Sequence, residues 1–272
     1  MMNLPGINEL IEILRKTAQQ QLMPHFGQIS RQYKVDRSIV TDADLATQAS
    51  LQQQLESRWP EYEFLAEEMT AEQQAQRMAD HSTGLWIVDP LDGTSNFAAG
   101  IPYFAISVAL YIKGKIRLGI VYDPNRDEAF SATDTGEASL NGAALKPADT
   151  PAKLAQCIGV VDLKRLTPEL ATRLVTQQPF ASQRSFGSVA LDWCWLAANR
   201  FHVYLHGRSN IWDYAAGELI FRQAGGISCT LDGDAIFHPS VAPRSAVAAM
   251  NRDHFEQRAN FLGVPAEKVL SK

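Results

Sequence analysis

Cysteine is scarce in this chain of 272 residues. The three present, Cys157, Cys194 and Cys229, are too few and too far apart for a disulfide framework or a C-x-x-C metal site. Such usage fits a reducing compartment. An excess of basic charge is also missing: 25 Lys and Arg stand against 30 Asp and Glu, a formal net charge of −5. Nucleic-acid binding through a basic patch is therefore a poor reading. The most apolar stretch, residues 104–112, is interrupted by Ser107 and falls far short of the ~20 residues that span a bilayer. Residues 1–16 lack the basic head and unbroken apolar run of a leader. Ile7, Leu10, Ile11 and Leu14 are spaced there as one face of a surface helix, with Glu9 and Glu12 between them. No repeat, low-complexity tract, G-x-S-x-G elbow, P-loop or G-x-G-x-x-G fingerprint is found. These absences predict a cytoplasmic protein with no membrane or nucleic-acid partner. Hydrophobic residues at 46% and charged residues at 20% suffice for a substantial core and exclude disorder as the main state.

Helical spacing predicts helices over 7–23 and 42–59. In the second, Thr41 is the expected N-cap, Leu45, Ala49, Leu51 and Leu55 the expected apolar face, and Pro60 the stop. A polar helix over 70–79 and an apolar strand over 85–88 follow. Strands over 104–112 and 116–122 are joined by a hairpin-like turn at Lys113-Gly114. Beyond Gly142, Pro147 and Pro151 break the chain, and short strands then alternate with helices. Strands are expected over 157–161, 202–205 and 246–249, and helices over 168–176, 188–198, 212–224 and 254–262. Gly225-Gly226 closes the third of these helices. The class is therefore α/β: an α+β N-terminal lobe over 1–145 and an α/β C-terminal lobe over 146–272, with the boundary near 141–151.

Four acidic places could carry chemistry. Asp89 follows an apolar strand, so its carboxylate emerges at the strand's carboxyl end, where α/β sheets place ligands. Pro90 and Gly93 suggest a tight turn that returns Asp92 beside it. Two such acids repel unless a cation neutralises them, and all-oxygen ligation suits Mg²⁺, Mn²⁺ or Ca²⁺ over zinc. Gly93 and Thr94 offer backbone N–H groups for a phosphate oxygen. On spacing alone, an ordinary Asp-Gly turn explains the string equally well. Glu67-Glu68 reads by itself as solvated surface, Asp213 as a helix cap, and Asp44 as a first-turn carboxylate favouring the helix dipole.

Together, V-T-D-A-D (residues 40–44), A-E-E (66–68), W-I-V-D-P-L-D-G-T-S-N-F (86–97), L-N-G (140–142) and W-D-Y-A-A-G (212–217) resemble the inositol monophosphatase family in order and spacing. The resemblance runs from about residue 7 to 260. It implies a layered αβαβα sandwich, a homodimer with possible lithium inhibition, and hydrolysis of a small phosphate monoester with two or three Mg²⁺ ions. Carried over, Glu67, Asp89 and the Leu91 carbonyl resemble the ligands of a first ion, and Asp89, Asp92 and Asp213 those of a second. Glu68 matches the second glutamate of the family's pair. Thr94 and Asp44, with Glu67, resemble the set that activates the attacking water, while Gly93 and Thr94 hold the phosphate. Phosphate monoester hydrolysis is among the slowest uncatalysed reactions, because it concentrates charge on an anionic centre. Paired cations are the remedy.

The chain departs from its relatives in the substrate pocket. Where inositol-phosphate enzymes carry a glutamate seven residues before the W-D aspartate, this chain has His206. His206 and Arg208 are expected to make the pocket edge more cationic and to reduce preference for inositol monophosphate. Gly187, Ser188 and Val189 resemble the family's substrate strip, to which Asp213 also belongs, and Arg184 is a further candidate contact. His202, Tyr204 and His206 alternate at strand period, but no third His or Cys stands at zinc spacing. The competing reading from another class is a non-catalytic or moonlighting dimeric protein-interaction or regulatory protein on the same fold.

Overall fold

The first layer is helical. α1 (Ile7–Thr17) and α2 (Asp42–Arg58), with a short antiparallel pair β1 (Gln32–Tyr33) and β2 (Ile39–Val40) between them, lie against a seven-stranded sheet. That sheet runs in chain order: β3 (Glu63–Ala66), β4 (Leu85–Asp92), β5 (Ala105–Ile112), β6 (Lys115–Asp123), β7 (Glu128–Thr133), β8 (Ser139–Leu140) and β9 (Ala143–Ala144). All neighbours are antiparallel except β3 and β4, which α3 (Ala71–Ala79) links as the crossover that a parallel pair needs. α4 (Thr94–Ala99) follows β4. The rest of the chain carries β10 (Ile158–Asp162), α5 (Pro168–Thr176), β11 (Ser182–Arg184), α6 (Val189–Ala197), β12 (Val203–Ser209), α7 (Ile211–Gln223), β13 (Ile227–Cys229), β14 (Arg244–Ala249), α8 (Arg252–Leu262) and a short α9 (Glu267–Leu270). Its strands form a five-stranded sheet in the order β11-β10-β12-β14-β13. This computed structural model describes residues 4–28, 32–33, 39–79, 83–145, 153–265 and 267–270. Much of the expected lobe boundary, residues 146–151, lies outside the described residues.

Strand alternation explains the layering. Along β4, Trp86 and Val88 pack with α1 and α2, whereas Leu85 and Ile87 pack with α6 and α7. All four are fully buried, as a strand covered on both faces requires. In the second sheet Val160, Tyr204, Ala246 and Ala248 join the α6/α7 core, while Val161, Leu205, Val247 and Ala249 face α5 and α8. The result is the αβαβα sandwich. The central layer is tight because β6 carries Gly119 opposite α7: a Cβ there would stand 2.9 Å from the Ala216 Cα.

Most elements fall where expected. Lys113 (φ 48) and Gly114 (φ 85) are both left-handed between paired Ile112 and Lys115, the backbone of a type I′ hairpin. α7 ends with Gly226 N–H bonded to the Phe221 carbonyl and Gly225 N–H to the Arg222 carbonyl, a Schellman closure. The apolar face of α2 is corrected. Leu45 is 49% exposed and Ala49 is exposed, whereas Ala43, Thr47, Leu51 and Leu55 form the buried stripe. The first helix leaves α geometry after Thr17, widening to a π segment over Ala18–Leu22 and then tightening over Met23–His25, where Pro24 cannot continue it.

Candidate active site

Asp89 and Asp92 do not flank a turn. β4 continues through both, and its pairing with β5 slips: Asp89 faces Ser107 and Asp92 faces Ala105. Three steps on one strand thus meet two on the other, a bulge. Pro90 has no N–H to give to the ladder, and the Leu91 N–H turns to Asp89 Oδ1 at 3.0 Å. The bulge brings two carboxylates to the carboxyl end of one strand. Gly93 then adopts φ 100, and α4 begins at Thr94.

Asp213 reaches the same place from the opposite sheet-facing layer. Ser107, the partner of Asp89 in the ladder, donates its hydroxyl to the Trp212 carbonyl at 3.1 Å and so ties the start of α7 beside Asp89. Asp213 is the N3 residue of a capping box, accepting the Asn210 N–H at Oδ2, 2.7 Å. Asp44 is built the same way on α2, where its Oδ2 accepts the Thr41 N–H at 2.8 Å and the Thr41 hydroxyl at 2.5 Å. Asp44 Oδ1 receives the Thr94 hydroxyl at 3.0 Å, and that hydroxyl also lies 3.1 Å from the Leu91 carbonyl. Two helix N-termini and one bulged strand therefore fix the constellation.

Glu67, Asp89, Leu91, Asp92, Gly93, Thr94 and Asp213 all line one cleft of about 1090 Å³. Asp89 and Asp92 are buried and Asp213 is half-buried. Burial raises the Asp89 carboxyl well above the carboxylate range, and the charges of Glu67, Asp92 and Asp213 raise it further. Asp213 is raised by burial, Asp92 and Glu67. Burial pushes Asp92 up to about 6, against hydrogen bonds from Ser188 and Ala190. Asp44 is likewise raised to about 6, chiefly by burial. Carboxylates that destabilise one another's charge, with a backbone carbonyl and no thiol among them, are a donor set for a hard divalent cation. Among the described residues no three His, Cys, Asp or Glu side chains are yet gathered around one point. Asp89, Asp92 and Asp213 each hold a hydrogen bond of their own.

The sequence profile described as the inositol monophosphatase family matches residues 6–262. The chain belongs to the inositol monophosphatase family. It is 33% identical over 233 residues to the Nus factor SuhB of Pasteurella multocida, covering 80% of this chain and 84% of that one. It is 35% identical over 224 residues to inositol monophosphatase 1 of Solanum lycopersicum, 79% and 78% of the two chains. Among solved structures, an IMPase of Thermotoga maritima superposes with a TM-score of 0.82 at 27% identity, over 97% of this chain and 98% of that one. An IMPase/NADP phosphatase complexed with Mg²⁺ and phosphate superposes with a TM-score of 0.79 at 25% identity, over 94% and 92%.

Within this member of the inositol monophosphatase family, Gly187, Ser188, Val189, His206 and Arg208 line the cleft with the acids. Ser188 is more than wall: its hydroxyl donates to Asp92 Oδ2 at 2.5 Å, and the Ala190 N–H donates to the same oxygen at 2.7 Å. His206 sits between its own strand and the end of β10. Its Nδ1 lies 3.3 Å from the Arg208 N–H nitrogen and its Nε2 points at Asp162 Oδ2, 3.3 Å away. Arg184 lies apart from these residues. It donates to the Ser182 hydroxyl and the Gln183 carbonyl, 2.6 and 2.7 Å, and lies outside the cleft lining. Glu68 is not in the lining either; its N–H donates to Gln48 Oε1 at 3.1 Å and its charge reaches Asp44. His202 Nδ1 accepts the Ile158 N–H at 2.9 Å, which removes it from any zinc site with His206. Sequence reasoning missed Asp162, Lys164, Arg165 and Asp192 in the lining. A signal for Asp162 existed: V-V-D at the end of β10 repeats the I-V-D of β4.

Among the described residues no helix is long and apolar enough to cross a membrane.

Proposed function

We propose that this protein is a divalent-cation-dependent phosphomonoesterase that removes phosphate from a small phosphorylated metabolite by attack of water. Membership of the inositol monophosphatase family supports a phosphatase. The observation that carries the rest is the meeting of Glu67, Asp89, Asp92 and Asp213, from three separated stretches of chain, in one cleft beside the Thr94–Asp44 pair. Glu67, Asp89 and the Leu91 carbonyl would hold one Mg²⁺, and Asp89, Asp92 and Asp213 a second. Bound there, the ions supply charge neutralisation of the phosphate and a more acidic neighbouring water. Thr94 Oγ1, 3.0 Å from Asp44 Oδ1, is placed to accept a proton from the water and relay its own to Asp44. The Gly93 and Thr94 N–H groups hold phosphate oxygens, and Gly187, Ser188 and Val189 orient the rest of the substrate. On this reading the lobe of residues 1–145 supplies most ligands, and that of 146–272 supplies Asp213 and the substrate wall.

Phosphate release from a panel of monoesters, with Mg²⁺ and with chelator, tests the proposal. Release that stops on chelation is expected. Chelator-insensitive release, or none from any member, would favour the second reading, a non-catalytic or regulatory binding role, which relatives named Nus factor SuhB keep in view.

A further inference from the structure

The cleft has a second end, built by different residues. β10 finishes at Asp162, and the chain folds at once into one 3-10 turn, Leu163–Arg165, which brings Lys164 and Arg165 to the cleft wall. Asp162 caps this turn, accepting the Lys164 N–H at 3.1 Å. The same carboxylate lies 3.3 Å from His206 Nε2 and 3.9 Å from Lys164 Nζ. The turn can seat on β12 because position 207 is glycine: a Cβ there would stand 1.9 Å from the Arg165 carbonyl oxygen. β12 also slips register against β14 between His206 and Ser209, and bulges of this kind re-aim side chains beside sites. The side chain within that slip, Arg208, lines the cleft.

Three cationic side chains, Lys164, Arg165 and Arg208, line this end beside two carboxylates: Asp162, which Lys164 and His206 already occupy, and Asp192, which accepts the Tyr103 hydroxyl at 2.9 Å. Among the described residues Arg165 and Arg208 make no side-chain ion pair or hydrogen bond. Burial and Asp92 raise the Asp213 carboxyl, and Arg165 pulls it back, so the two ends sense each other across one cavity. A polyol phosphate would leave both guanidinium groups in water. An oxyanion would meet two planar forks that match carboxylate or phosphate oxygens.

We propose that the substrate carries, beyond the phosphate that is removed, a second oxyanionic group, carboxylate or phosphate, bound by Arg165 and Arg208; this rests on the phosphomonoesterase reading. The two arginines bind and orient; they take no part in proton transfer.

The test is steady-state phosphate release with Mg²⁺ on two matched pairs: glycerol 2-phosphate against 2-phosphoglycerate, and fructose 6-phosphate against fructose 1,6-bisphosphate. In at least one pair the member with the second anion should have a kcat/KM about tenfold to a hundredfold higher, as charge-assisted hydrogen bonds provide. The first pair identifies a carboxylate and the second a phosphate. Arg165→Gln and Arg208→Gln should each raise KM for the favoured member about tenfold while kcat holds, the mark of lost uniform binding. The preference should then fall toward one. Equal efficiency within both pairs in the native protein, or equal losses on both members in the variants, would overturn the inference. No release from any of the four compounds would overturn the phosphomonoesterase reading, and this inference with it.

Discussion

Asp92 Oδ2 takes the Ser188 hydroxyl and the Ala190 N–H, so the first turn of α6 aims a carboxylate that belongs to β4. Ser188→Ala removes the shorter of these bonds. Its expected effect is a metal requirement about tenfold to a hundredfold higher, the usual cost of losing a group that orients a ligand, read from Mg²⁺ titrations of activity. Asp89 matters more, because its carboxyl is fully buried and feels Glu67, Asp92 and Asp213 together. Asp89→Asn should lower turnover by more than about a hundredfold, beyond the cost of an outer partner. Glu68→Gln, outside the cleft lining, should cost far less. Turnover by Asp89→Asn within about tenfold of the native protein would contradict the assignment. Asp44, raised by burial to about 6, accepts a proton only when ionised. The pH profile of kcat/KM should therefore fall on the acid side as pH drops through about 6.

At the scale of elements, two capping boxes hold two functional acids, which links helix stability to chemistry. Thr41→Ala deletes the hydroxyl donated to Asp44 and the cap of α2. It should cost about 0.5–2 kcal/mol by urea unfolding and lower kcat as well, whereas an ordinary cap loss would move stability alone. The close approach of α7 to β6 at Gly119 makes Gly119→Ala an overpacking change of about 1–3 kcal/mol. Much of this level was legible. The Lys113-Gly114 turn, Pro168 at the start of α5 and Gly225 after α7 are local signals, and local backbone preference decided them. β7, β11 and β13 were not legible. β11 and β13 have three residues each at the sheet edges, and β7 mixes alanine and serine with one phenylalanine. Neighbouring strands, not their own patterns, make them strands. The acids were legible because their strings match a family. The bulge between Asp89 and Asp92 looked like a turn because Pro and Gly mark both. Arg165 escaped notice because its position depends on a backbone contact with Gly207, forty-two residues away.

The whole molecule carries a charge problem that the cleft concentrates. Asp44 and Asp92 are raised from 3.8 to about 6, and Asp89 and Asp213 are raised well above 3.8. A carboxyl that holds its proton more tightly when folded contributes stability present in full below pH ~4 and lost as pH rises through its folded value. For these four groups, the metal-free protein should lose stability from pH ~4 to beyond pH 6. Mg²⁺ should restore it most above that window. Thermal melts with and without Mg²⁺ at pH 5 and pH 8 check this, with the larger rise in Tm expected at pH 8. An equal rise at both values would disagree with ligands that must shed protons to bind.

If acids from separate stretches of chain serve as ligands for divalent ions, anomalous diffraction from crystals soaked in Mn²⁺ should show peaks in the cleft within coordination distance of Glu67, Asp89, the Leu91 carbonyl, Asp92 and Asp213. A soaked crystal with Mn²⁺ only elsewhere on the protein, and none touching Asp89, would contradict it.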